Sequence, residues 1–327
     1  KSHRISAAGK GKYGIMNGDS TDQQDMTPDE TTRAGFTALI GAPNAGKSTL
    51  MNAMVGQKVS IVTPKVQTTR SRIRGIAMHG AAQIIFVDTP GIFPPRRRLD
   101  RAMVSAAWQG AEDGDVLLLV HDCARRAPDE DTLKIIEKLS ESGRPASLVL
   151  NKIDLAPPER LLSRAAEMAA LYEFERIFMV SAETGNGIDD LKGWLAERMP
   201  KSPYLFDPDD LSDMPMRLLA AEILREKLFL NLHQELPYQL TVETDSWDER
   251  GDGSAEVHLS IFVAREGHRG IILGKNGQSI RRIGTAARKE LEAALDRRVH
   301  LFSHVKYRKD WMNDSARYSV WDLDYDA

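Results

Sequence analysis

Residues 41 to 48 read Gly41-Ala42-Pro43-Asn44-Ala45-Gly46-Lys47-Ser48, with the spacing Gly-x-x-x-x-Gly-Lys-Ser, and Thr49 follows. Two glycines let such a segment curl until its backbone N–H groups converge on phosphate oxygens. The lysine adds a mobile cation for the outer phosphates, and the serine adds a hydroxyl for Mg²⁺. Gly41 to Thr49 is therefore the candidate phosphate cradle, and Lys47 is also a candidate catalytic cation. Upstream, Phe36 to Ile40 is a short apolar run of strand type; downstream, Ser48 to Val55 has helical composition. Strand, glycine loop and helix N-terminus is the order that anion binding requires.

A second constellation, Asn151-Lys152-Ile153-Asp154, follows the apolar run 147–150 and so falls at a strand's carboxyl end, on the edge that carries the phosphate loop. The Asp154 carboxylate can accept two hydrogen bonds from the N1–H and exocyclic amine of guanine. Adenine offers neither in that geometry, and a carboxylate buried without partners costs enough to reject it. Ser181-Ala182-Glu183 again closes an apolar run, 177–180, and completes the base site. Between the two lies Asp88-Thr89-Pro90-Gly91, ending the run 83–87. Asp88 can serve the Mg²⁺ shell, and the Gly91 N–H can meet a γ-phosphate that exists only before hydrolysis.

In chain order the phosphate loop, Gln67-Thr68-Thr69-Arg70, Asp88 to Gly91, Asn151 to Asp154 and Ser181 to Glu183 resemble the five signature elements of a GTPase. On that resemblance the metal set is Ser48, Thr69 and Asp88, with Thr68 the alternative to Thr69, and Thr69 and Gly91 order the switch loops. Ile92 stands where Ras-like GTPases place a water-orienting glutamine, and an apolar side chain cannot orient water. Hydrolysis is then slow or aided from elsewhere. Asn44 is the candidate aid, because an amide oxygen beside the phosphates can help to hold a monovalent cation, as similar GTPases do with K⁺.

The C-terminal half carries an independent signal. Gly274-Lys275-Asn276-Gly277 lies between two apolar segments, and Ile280, Ile283 and Ala287 recur at helical spacing. Paired glycines permit a tight helix-to-helix turn that a nucleic-acid backbone can approach closely. The window 265–309 holds 12 Lys or Arg against 4 Asp or Glu, within a chain of net charge −3. Such a patch is the electrostatic footprint of a polyanion site. Lys275, Asn276, Arg281 and Arg282 join the two glycines as candidate RNA-binding residues.

With both signals present, about residues 34 to 309 resemble the bacterial Era family of GTPases, including the helical stretch 221–227, Glu235 to Glu243 and Arg265-Glu266-Gly267. The resemblance implies a P-loop GTPase domain with a doubly wound, mostly parallel α/β sheet, then a smaller α+β type II KH domain. It further implies GTP hydrolysis to GDP, with binding of small-subunit (16S) ribosomal RNA near its 3′ end in 30S subunit maturation. The cofactors are GTP or GDP, Mg²⁺ and, through Asn44, K⁺. The expected protein is a cytoplasmic monomer that does not bind DNA, with peripheral association at the inner membrane allowed. The alternative reading is a membrane-associated signalling GTPase in which Arg96-Arg97-Arg98 or the KH surface meets anionic lipid.

Composition agrees with two domains. The chain has 327 residues, 42% of them hydrophobic, and no apolar stretch nears the ~20 residues of a membrane helix. The single Cys123 excludes an internal disulfide and fits a reducing cytosol; no Cys/His cluster points to zinc. Strands are predicted near 36, 72, 83, 116, 147 and 177, alternating with helices. Residues 1–33 read as a polar, unstructured segment, with 1–15 an expression scar and Met16 a native start. Domains follow at 34–200 (GTPase), 201–216 (Pro-rich linker) and 217–309 (KH). The acidic tail 310–327 is expected to lie on basic KH surface or remain loose.

Overall fold

A computed structural model describes residues 32–65 and 68–327, together with the backbone of a two-residue ladder pairing Ile5–Ser6 with Gly14–Ile15. The remaining N-terminal residues, and with them most of the expected unstructured segment, lie outside the described residues; so does Gln67. For the four laddered residues the expectation of no structure is corrected. The described residues form two compact units: one of 32–211 with Ser315–Ala327, the other Ser212–Asp314 with the four laddered residues.

The first unit is built on β1 (Arg33–Ile40), β2 (Ile73–His79), β3 (Ala82–Asp88), β4 (Val116–Asp122), β5 (Ser147–Asn151) and β6 (Ile177–Met179). Their order across the sheet is β2-β3-β1-β4-β5-β6, with only β2 antiparallel to its neighbour. β3 and β5 are buried along their whole length, as strands covered on both faces must be, and read as near-continuous apolar runs. Between strands run α1 (Lys47–Val55), α2 (Arg98–Asp113), α3 (Glu130–Ser142), α4 (Pro158–Leu171) and α5 (Ile188–Arg198). From β1 the chain fills one edge of the sheet and then the other. This opens a crevice at the carboxyl ends of β1 and β4, where α/β sheets bind ligands. All six expected strands are present.

The boundaries differ from those read in the sequence. Thr32 and Arg33 belong to this unit: Thr32 Oγ1 donates to the Ser202 carbonyl at 3.0 Å, and Arg33 Nη1 to that of Met199 at 2.7 Å. The expected linker is partly bound to the sheet. Gln83 accepts at Oε1 from the backbone of Leu205 and Phe206, and its Nε2 donates to the Phe206 carbonyl. The acidic tail divides: residues 310–314 stay with the KH unit, whereas Ser315–Ala327 dock on the GTPase unit. There Arg98 stacks over the Tyr325 ring at 4.3 Å, and Arg72 pairs with Asp322 at 3.3 Å. Its aromatics Tyr318 and Trp321 are buried, so the docking is apolar as well as electrostatic.

The second unit has the order α6 (Met216–Asn231), β7 (Leu240–Glu249), β8 (Ala255–Val263), α7 (Glu266–Leu273), α8 (Gln278–Leu295) and β9 (Val299–Tyr307). β7 pairs antiparallel and β9 parallel with β8. α8 buries Ile283, Ala287, Leu291, Ala294 and Leu295 along one face. It is tied to α6 by Lys227, which bridges Glu226 and Glu290. Trp311 is fully buried and donates Nε1–H to the Gln239 carbonyl at 3.2 Å, which extends this unit past the expected end at residue 309.

Candidate functional site

The segment between β1 and α1 wraps around the α1 N-terminus. Asn44 has φ +64° and Gly46 φ +95°, a left-handed alternation that turns successive N–H groups into a concave nest. A Cβ at Gly46 would lie 2.3 Å from Asn151 Nδ2, so no other residue fits that position without displacing Asn151. Lys47 is buried, and its Nζ donates to the carbonyls of Gly41 at 3.0 Å and Ala42 at 3.2 Å. Burial lowers its pKa to about 8, opposed by the nearby Asp88 carboxylate. Lys47 thus lines an open cleft together with Pro43, Asn44, Ser48, Thr69 and Gly91.

Three oxygen donors converge beside it. Ser48 Oγ donates to Asp88 Oδ2 at 2.6 Å and lies 3.0 Å from Thr69 Oγ1, which is itself 3.2 Å from Asp88 Oδ2. Asp88 is fully buried, which raises its carboxyl pKa against the pull of Ser48, Lys47, Ser60 and Thr69. Asp88 Oδ1 is buried with no hydrogen-bond partner among the described residues. A hard oxygen set with one unsatisfied carboxylate oxygen fits a magnesium ion and its water shell. Thr68 turns elsewhere: its hydroxyl lies 2.7 Å from Thr63 Oγ1 and donates to the Lys65 carbonyl. The geometry thus gathers Thr69, not Thr68, with Ser48 and Asp88.

On the far side of the cradle, Asn151 Nδ2 donates to the Ala45 carbonyl at 3.1 Å, while its Oδ1 accepts from the Ala182 N–H at 3.1 Å. One side chain therefore ties the phosphate loop to the Ser181 to Glu183 segment. Lys152, at φ +66°, reaches the Asn44 carbonyl at 2.8 Å and Asp122 at 2.7 Å. Asp154 Oδ1 accepts from Ser181 Oγ at 2.5 Å, and Ser181 Oγ also accepts from the Thr184 N–H. Asp154 is exposed; Ser181 aims the carboxylate, and the burial on which base selection depends comes from the base itself. Glu183 is exposed at the rim.

Gly91 packs against Pro43: a Cβ there would stand 3.0 Å from Pro43 Cα. The next N–H, of Ile92, donates to the Gly41 carbonyl at 3.2 Å, and the Ile92 side chain is buried in the apolar core with Ala107, Leu119 and Ile136. It faces away from any water in the cleft.

In the other unit, the α7–α8 connection is a single tight turn with Gly274 at φ +68° and Gly277 at φ +72°. Lys275, Asn276, Arg281 and Arg282 are all exposed. The turn and the first turn of α8 present backbone and cationic side chains together.

A family model described as 50S ribosome-binding GTPase matches residues 36–152, and a KH domain model matches 235–312. The chain is 54% identical to the GTPase Era of Dinoroseobacter shibae over 297 residues, covering 90% of this chain and 96% of that protein. It is 55% identical to GTPase Era of Rhizobium meliloti over 294 residues, covering 90% and 94%. The chain belongs to the Era family of GTPases. Among solved structures, Era from Aquifex aeolicus bound to GDP and AlF4⁻ superposes with a TM-score of 0.84 at 35% identity, covering 89% of this chain and 99% of that one. Era in complex with MgGDPNP and nucleotides 1506–1542 of 16S ribosomal RNA gives the same TM-score and identity, covering 89% and 98%. The Era architecture is thus present in both units, and the chain is a GTPase.

Sequence reasoning missed residues that hold this Era cleft together. Ser60 Oγ donates to Asp88 Oδ2 at 3.1 Å. Asn52, on α1, fixes the segment leading to Thr69 by accepting from the Val59 and Ser60 N–H groups at 2.9 Å and donating to the Ser60 carbonyl at 2.8 Å. Neither lies in a motif with fixed spacing, so only the fold brings them in. Asp122 had a readable signal, a carboxylate ending an apolar strand on the same edge as the phosphate loop.

Proposed function

We propose that this protein hydrolyses GTP in the cleft at the β1 and β4 ends, and that its KH domain binds small-subunit ribosomal RNA near the 3′ end during 30S maturation. The observation that carries the reading is one chain holding two built phosphate-facing sites, the cradle at Gly41 to Thr49 and the glycine turn at 274–277. The RNA named for the Era complex supports the choice of partner.

In the cleft, backbone N–H groups from Asn44 to Ser48 cradle the phosphates, and Lys47 swings from the Gly41 and Ala42 carbonyls to the outer phosphates. Ser48, Thr69 and Asp88 would hold Mg²⁺, which when bound would neutralise charge on the phosphate oxygens. Asp154 reads the guanine edge while Asn151, Lys152, Ser181, Ala182 and Glu183 shape its pocket. Gly91 meets the γ-phosphate through its N–H, so hydrolysis releases the segment behind it. With Ile92 turned into the core, Asn44 would help to hold K⁺, which when bound would supply positive charge to the transition state. Lys275, Asn276, Arg281 and Arg282 meet RNA phosphates around the Gly274 and Gly277 backbone. The protein works as a cytoplasmic monomer.

The test is cross-linking of the protein to cellular RNA followed by site mapping. Cross-links from α7–α8 to the small-subunit RNA 3′ end are expected. Enrichment on unrelated RNA, or retention on anionic vesicles without RNA, would replace this partner.

A further inference from the structure

Asp122, the last residue of β4, and Arg125, just past it, belong to none of the five signature segments. Arg125 Nη2 donates to the Pro43 carbonyl of the phosphate loop at 3.2 Å. Its Nη1 pairs with Asp129, the residue that caps α3 by accepting from the Thr132 N–H at 2.9 Å. The Arg125 backbone is anchored too: its carbonyl accepts from Nη2 of Arg164 at 2.8 Å, and Arg164, on α4, is buried and paired with Glu167. Asp122 Oδ2 lies 3.9 Å from Arg125 Nε and accepts from Lys152 Nζ at 2.7 Å.

Three successive carbonyls of the loop are thereby gripped from outside by three side chains: Pro43 by Arg125, Asn44 by Lys152 and Ala45 by Asn151. The described peptide bonds are all trans. In a planar trans peptide the carbonyl and the following N–H point in opposite directions. Holding the Pro43 carbonyl outward therefore turns the Asn44 N–H toward the cleft. Pro43 is also the residue on which Gly91 rests, so its position limits where the γ-phosphate contact can form.

We propose that Arg125, steadied by Asp122 and Asp129, is a positioning residue for GTP: it acts through the Pro43 peptide to fix the cradle and the seat of Gly91, without touching the nucleotide. The inference rests on Gly41 to Thr49 being the phosphate site. An arginine suits the role because its planar fork presents separate N–H groups to the Pro43 carbonyl and the Asp129 carboxylate in one fixed geometry, which the point charge of a lysine does not impose.

The experiment is competition binding of GMP, GDP and a non-hydrolysable GTP analogue to the full chain, with single-turnover hydrolysis, for wild type, Arg125→Ala and Arg125→Lys. Arg125→Ala is expected to weaken GDP and the analogue by roughly tenfold, the loss of about one charge-assisted hydrogen bond, and GMP by less. The hydrolysis rate falls with it, and Arg125→Lys recovers only part. Unchanged GDP and analogue affinity in Arg125→Ala overturns the proposal. So does equal weakening of all three nucleotides, the pattern of a general structural defect. Lys47→Ala separates the two failures. If it too binds normally, the cradle assignment has failed and the brace with it; if it loses binding while Arg125→Ala does not, only the brace is wrong.

Discussion

Gly46 and Gly277 both stand at left-handed φ beside a candidate phosphate site, yet their surroundings are opposite. A Cβ at Gly46 would collide with Asn151 at 2.3 Å, whereas one at Gly277 would meet no atom within 4 Å. The GTP cleft is assembled from five separated segments, each hydrogen-bonded to at least one other, so its glycines are demanded by the protein's own packing. The KH turn is local, set by two helices that meet within a dozen residues, and its open glycine leaves room for a ligand. The cleft should therefore fail sharply when one member is lost. The turn should lose its ligand while the fold survives.

The sharpest break is expected at Lys47. Lys47→Ala should reduce GTP turnover by on the order of a hundredfold or more, since it removes a buried cation from the outer phosphates. In the wild type, phosphates raise the pKa of Lys47 above its unliganded value of about 8. Binding then takes up a proton at higher pH, and GTP affinity should decline as pH rises through 8. Calorimetry in buffers of differing ionisation enthalpy detects that uptake, and its absence would show the lysine stays charged throughout.

At the turn, replacing Lys275 and Asn276 together with Asp should lower RNA affinity by roughly ten- to a hundredfold through like-charge repulsion, with intrinsic GTP hydrolysis and thermal stability kept. Both side chains are exposed, so a large stability loss would contradict the local plan of the turn. Next in size comes Asp154→Asn, which should shift preference from guanine toward xanthine nucleotides by at least tenfold, because an amide N–H can meet the xanthine carbonyl. Competition with GTP and XTP reads this directly. The smallest effect concerns Asn44. Hydrolysis should be severalfold faster in K⁺ than in Na⁺ at equal ionic strength, and Asn44→Ala should remove most of that difference. Equal wild-type rates in both salts take Asn44 out of the mechanism.

What was legible in the sequence follows the same division. Glycines at fixed spacing, strand-terminal Asp88 and Asn151, and the Gly274 to Gly277 turn announce themselves because local backbone geometry demands them. Ser60, Asn52 and Arg125 do not, because their roles exist only once distant segments meet. The tail was misplaced for an electrostatic reason. Its acids fit the KH surface by charge alone, but burial of Tyr318 and Trp321, with the Arg98–Tyr325 stack, outweighs exposed charge pairs that are each worth about 1 kcal/mol or less. The aiming of Asp154 was not legible either: a carboxylate that waits for a base is oriented by Ser181, a contact that exists only once two strand ends meet.

A GTPase whose second unit binds RNA works as a switch only if the nucleotide state sets the hold on RNA. The direct measurement is a titration of RNA carrying the small-subunit 3′-end sequence against the protein with a GTP analogue, with GDP and without nucleotide. Tighter RNA binding with the analogue than with GDP is predicted, by roughly five- to 150-fold, and RNA should tighten the analogue by the same factor. Equal RNA affinity in all three states would mean that the two sites are uncoupled and that the protein is not a switch, even if each site binds as described.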